Sequence, residues 1–121
     1  MADAREIVTS VGLCSQALDV IGVPPIKSFA DRTKEAQVAS IVYSDVRDMM
    51  LASYPWRFMS RRSGPTGITE AEFPAHFCRA LVARLAAELC IPLTNSPPRA
   101  RHLFKRAEDG LRVSGLEDSG R

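Results

Sequence analysis

The stretch FPAHFCRALVARLAAELC, Phe73–Cys90, decides the fold. Phe77, Leu81, Leu85 and Leu89 recur every four residues, and Cys78, Val82, Ala86 and Ala87 widen the apolar set beside them. At 3.6 residues per turn, this spacing gathers the apolar side chains on one broad flank of a helix. The flank is wider than a surface helix needs, so the spacing predicts a central, most buried helix over about residues 74–90. Pro74 suits its first turn, where a missing N–H loses no partner. The IPLTNSPP that follows, Ile91–Pro98, is expected to break the chain.

Toward the C-terminus, Ser96 reads as an N-cap with Pro97 at the first helical position. Ala100, Leu103, Phe104, Ala107 and Leu111 then form an inward stripe, and Arg99, Arg101, Lys105, Arg106 and Glu108 face outward. The closing VSGLEDSGR, Val113–Arg121, is polar and glycine-rich, which predicts a mobile tail (113–121) after a helical domain (1–112). Toward the N-terminus, Ala39, Val42, Tyr43, Val46, Met49 and Met50 mark a helix capped by Asp31 or Thr33 and ending near Tyr54, ahead of Pro55. Before it, Ile7, Val11, Cys14, Leu18 and Ile21 mark a first helix over about 4–21, with Asp3 as a candidate cap and Gly22 as its stop. WRFMS, Trp56–Ser60, has no second strand to pair with. The expectation is an all-α, four-helix bundle-like domain whose first two and last two helices form hairpin-like pairs. An aromatic, proline- and glycine-rich connection joins helices two and three.

Composition sets few limits. The chain has 121 residues, 45% hydrophobic and 25% charged, enough for one core without disulfides or metals. Its net charge of +2 does not by itself point to nucleic acid. The charge is uneven: residues 1–54 carry 5 basic and 7 acidic side chains, and residues 55–121 carry 11 and 7. Cys14, Cys78 and Cys90 are odd in number and widely spaced, which argues against a disulfide framework or zinc site and fits a reducing compartment. No apolar run reaches the length of a membrane span, and MADAREIVTS is not a signal peptide.

Sequence patterns for catalysis are sparse. His76 and His102 lie on different helices without ligands at metal spacing. His76 and Cys78 are two apart on a helix and point to different sides, a poor nucleophile pair. Asp45 and Asp48 read as a helix surface balanced by Arg47. No phosphate loop or hydrolase motif is present. The expectation is a non-enzyme without cofactor.

One stretch stands apart. YPWRF, Tyr54–Phe58, holds the single tryptophan of the chain beside a helix-stopping proline. A chain that reverses at Pro55 can fold Trp56 and Phe58 back over helices two and three and close the core, or present them to a neighbouring subunit. Met49, Met50 and Met59 cluster nearby as adaptable filling or contact surface. The order CSQALDVIGVPPIKSF, EAQVASIVYSDVRDMMLASYPWRFMSRR, FPAHFCRALVARLAAELCIPLTNS and a last amphipathic helix resembles the head–tail adaptor (connector) proteins of tailed bacteriophages and gene transfer agents, closest to the tail tubular protein A-like family. The matching motifs are (H/Y)PWxFxxxR, here Tyr54, Pro55, Trp56, Phe58 and Arg61 or Arg62, and FPxxFxxAL…RLAAxLxxPLTxS, here Phe73–Ser96. The likeness covers about residues 7–112. Larger members insert a β-rich module where this chain has only SGPTGITEAE.

The resemblance implies a structural role in the virion. The protein, made in the bacterial cytoplasm, would form a homo-oligomeric ring of about twelve copies below the portal. It would join the portal protein to downstream tail or stopper proteins and let double-stranded DNA pass without sequence-specific binding. The core or subunit interface would use Tyr54, Pro55, Trp56, Phe58 and Met59. Arg57, Arg61 and Arg62 would face the channel or a neighbour. Val113, Leu116, Glu117, Asp118 and Arg121 would belong to a portal-binding tail. The alternative is a small helical DNA-binding module, a helix-turn-helix regulator or packaging factor, with RARHLFKRAE, Arg99–Glu108, as its only recognition helix.

Overall fold

The computed structural model describes residues 8–53, 56–60 and 70–119, without the side chains of Met59, Ser60 and Ser119. Among the described residues there are four long helices and no strand, the all-α class the sequence predicts. In chain order they are α1 (Ser10–Val20), α2 (Lys34–Ser53), the single turn α3 (Arg57–Ser60), α4 (Ala75–Thr94) and α5 (Pro97–Ser119), with a 3-10 turn at Glu70–Glu72 before α4.

Local chemistry sets the boundaries. α1 starts later than the apolar pattern suggests, because Thr9 is extended and its Oγ1 accepts from the Gly12 N–H at 3.0 Å. Asp3 lies outside the described residues. At its end, Gly22 adopts φ +79° and the Val23 N–H reaches back to the Leu18 carbonyl, the six-to-one bond of a left-handed helix stop. Thr33, not Asp31, caps α2 by accepting from the Ala36 N–H. The Asp31 carboxylate is occupied in the preceding loop by the Lys27 and Ser28 N–H groups. Ser15 ties that loop to α1 through both backbone groups of Ile26.

Three expectations need correction. α4 does not end at Cys90: it runs through Pro92 to Thr94 and stops at Asn95, whose φ of 55° is left-handed and whose N–H donates to the Ile91 carbonyl. Pro92 is exposed and so near the end that its missing N–H forfeits a single helical bond. The first two helices do not pair closely either; α1 and α2 each pack mainly on α4, as α5 does more extensively. Finally, the chain from Val113 to Ser119 is helix rather than tail. Ser114 and Asp118 are buried, and Ser114 Oγ donates to the His76 carbonyl at 3.0 Å. These anchors outweigh the weak helix propensity of Gly110 and Gly115.

α4 is the core helix. Phe77, Ala80, Leu81, Leu85, Ala86, Ala87, Leu89 and Cys90 are buried along it. α1 contributes Leu13, Cys14, Ala17 and Leu18, and α2 contributes Ala36, Ala39, Tyr43, Val46 and Met50. Val42 and Met49, part of the expected inward stripe of α2, lie at its margin, Met49 at 37% exposure.

Candidate functional site

Trp56 is 1% exposed and closes one end of the core. Its indole N–H donates to the Met50 carbonyl at 2.8 Å. Met50 belongs to the last turn of α2, whose carbonyls lack helical partners, so the ring seals the C-terminal end of that helix. The indole meets Phe77 edge-on at 4.9 Å between centroids. Phe58 lies 5.2 Å from Phe77 and 6.0 Å from Phe73, and Phe73 lies 4.8 Å from Phe77. Four rings from two separate stretches thus form one aromatic knot.

A buried carboxylate locks the knot. Asp118, 6% exposed, accepts from the Arg57 backbone N–H at 2.6 Å and lies 3.2 Å from His76 Nε2. The Arg57 amide is in the first turn of α3, where helical N–H groups lack internal partners and attract an anion. Outside this contact, Arg79 and Glu117 form an exposed ion pair at 3.5 Å. One carboxylate therefore joins the C-terminal turn of α5 to the start of α4 and to the aromatic stretch. No periodic pattern signals this role, because it depends on tertiary proximity between residues 57, 76 and 118.

The other predicted positions fall into three groups. Trp56 and Phe58 are in the knot, and Arg57 is exposed beside it while its backbone N–H binds Asp118. Val113, Leu116 and Glu117 are on the exposed side of α5, in contrast to Asp118. Tyr54, Pro55, Arg61, Arg62 and Arg121 lie outside the described residues, as does the side chain of Met59. The structure therefore brings together Trp56, Phe58, the Arg57 backbone and Asp118, positions that the sequence reading had split among three roles.

Cys14 and Cys90 are buried and Cys78 is partly buried. Burial pushes the Cys14 thiol up to about 12. Burial also raises Cys78, against a smaller opposing effect of Arg79, and its sulfur points toward the Phe73 carbonyl. With His76 Nε2 turned to Asp118, the Cys78–His76 pair lacks the geometry of an activated nucleophile. Tyr43 donates to Glu70 at 2.7 Å, and burial together with that carboxylate raises its hydroxyl pKa. Arg47 lies over the Tyr43 ring and pairs with Asp48, the balanced surface expected for this part of α2. Among the described residues, no three His, Cys, Asp or Glu side chains gather as a metal site, and no helix is long and apolar enough to cross a membrane.

Two surfaces remain. On α2, Ile41 is 69% exposed and borders a cleft of about 280 Å³, lined also by Val42, Asp45, Val46 and Met49 from α2 and by Arg84 and Glu88 from α4. On α5, Arg99, Arg101, Lys105 and Arg106 are exposed, with no carboxylate between Pro97 and Ala107. Arg99 also caps α1 by donating to the Ile21 carbonyl. No protein-family model, curated protein or solved structure matches the chain.

Proposed function

We propose that this chain is a head–tail adaptor of a tailed phage or a phage-like particle, a structural subunit that forms a ring below the portal. The observation that carries this reading is the pairing of its two motif stretches. Trp56 and Phe58, from the YPWRF motif, pack on Phe73 and Phe77, from the FPAHF run. Residues on which the resemblance rests thus serve one physical purpose, which gives a reason for their joint occurrence. A helical unit with exposed apolar residues on α2 and exposed basic residues on α5 suits a ring subunit that works by assembly rather than catalysis.

In this reading the partners are the portal protein, further copies of the chain and the downstream tail or stopper proteins, with DNA passing through the centre. Its place is the head–tail junction of the virion. The helical end at Val113, Leu116 and Glu117 would meet the portal as a formed surface. Arg57, Arg61 and Arg62 remain the proposed channel or neighbour contacts, with at least one paired to a neighbour's carboxylate. A channel that grips many phosphates would bind DNA tightly and oppose its movement.

Co-expression with the portal protein from the same genome tests the proposal. The expected result is a stable complex that keeps the chain on the portal ring through size-exclusion chromatography at physiological salt. A chain that elutes free, yet shifts a specific DNA duplex at that salt, would replace the adaptor by the DNA-binding module.

A further inference from the structure

We infer that the outer face of α2 and the outer face of α5 are the two halves of one contact between copies of this chain. Ile41 and Met49 flank Asp45 on α2 at helical spacing and are 69% and 37% exposed. With Val42 and Val46 they border the cleft against α4, whose lining also holds Asp45, Arg84 and Glu88. Asp45 makes no ion pair among the described residues, whereas its neighbour Asp48 is held by Arg47. The facing charge is supplied by α5, where Arg101, Lys105 and Arg106 are exposed and also make no ion pair among the described residues. About two turns beyond Arg106, Val113 adds an apolar side chain at 48% exposure.

Charge decides how the copies meet. A twofold contact through the α2 face would set Asp45 near its own copy, and one through the first half of α5 would set Arg101, Lys105 and Arg106 against their own copies. Joining α2 of one copy to α5 of the next removes both repulsions and covers both apolar borders. α2 and α5 each pack on α4 and share no extensive contact with each other, so neither face covers the other within one subunit. Such a contact is heterologous and propagates from copy to copy. The inference rests on the proposed ring for what the contact builds, but not for which faces meet.

Sedimentation of the full chain tests it. The parent is expected to self-associate in a concentration-dependent way at sub-millimolar protein. Asp45→Lys and the pair Lys105→Glu with Arg106→Glu should each weaken association at least about tenfold, and combining all three should restore it to within about threefold. These side chains are exposed, so circular dichroism should show the parent's helicity and melting in every variant. A monomeric parent, unchanged association in the single-face variants, or no recovery in the combination overturns the inference. So does a Lys105/Arg106 reversal that abolishes retention on duplex DNA while association is unchanged, which would assign the α5 face to nucleic acid. Association through these faces without portal binding supports the contact and removes the adaptor; portal binding insensitive to both reversals does the opposite.

Discussion

Trp56 is the residue with the most at stake. It fills the end of the core, meets Phe77 edge-on and gives its N–H to the open end of α2. Trp56→Ala is expected to cost about 3–5 kcal/mol, because cavity, ring contact and helix-end bond are lost together. Urea denaturation measures this, and a variant that unfolds at the parent's midpoint would contradict the placement of the ring. Asp118 has a narrower role. Asp118→Ala removes the carboxylate that accepts from the part-buried Arg57 N–H and should cost about 1–3 kcal/mol. The loss should also appear as weaker hydrogen-exchange protection over the last two turns of α5; unchanged protection there would remove the anchor. Cys14 provides a pH test. Its pKa rises on folding from the ordinary 9.0 to about 12, so the folded state favours the neutral thiol. That contribution is complete below the ordinary value and is lost as pH rises from there toward the folded value. Tyr43, also raised, acts in the same direction at still higher pH. Stability should therefore fall between about pH 9 and 11, and less steeply in Cys14→Ala, as read from denaturation curves. Equal slopes in the two proteins would contradict the burial of this thiol.

The elements show how far each kind of sequence signal reaches. α4 was legible because its apolar residues repeat at helical spacing over five turns, a signal that burial on several sides strengthens. Thr33 and the Gly22 stop were legible from local backbone chemistry. The start of α1 was not, since Asp3 and Thr9 are both good cap residue types, and the bond from the Gly12 N–H to Thr9 Oγ1 that sets the start is seen only in the structure. Pro92 misled for a related reason. Proline is costly in a helix interior, but near the C-terminus it forfeits one bond, and Leu93, half-buried against the core, keeps the last turn in place. Pro92→Ala should consequently raise the melting temperature by a few degrees, since it restores a helical N–H and removes a steric clash. A drop in melting temperature would show that the proline is needed to end α4. The final turns of α5 were illegible because their stability is tertiary. Without residues 57 and 76 beside it, the sequence SGLED has two or three polar groups per apolar one and reads as tail. Deletion of residues 114–121 should therefore destabilise the domain as well as remove surface, so loss of docking in that variant would have two causes. Exposed-face changes such as Glu117→Lys separate them.

At the scale of the whole molecule, the fold is a helical domain organised around α4, with three other long helices laid on it and an aromatic knot closing one end. The knot was partly legible: YPWRF announced a chain reversal with large rings, and their burial followed from helix geometry. Its second half, the Asp118 lock, was not. The surfaces were the least legible, because a periodic pattern tells which side of a helix is polar but not which polar sides of different helices would face a neighbour. In the proposed adaptor the motifs supply the knot, the knot fixes the subunit, and the faces of α2 and α5 would join the copies. The most direct test of that reading is the mass of the complex formed with the portal. Native mass spectrometry of the co-expressed chain and portal should show a closed portal ring carrying one copy of the chain per portal subunit. A portal ring of unaltered mass, with the chain free in solution, would contradict it.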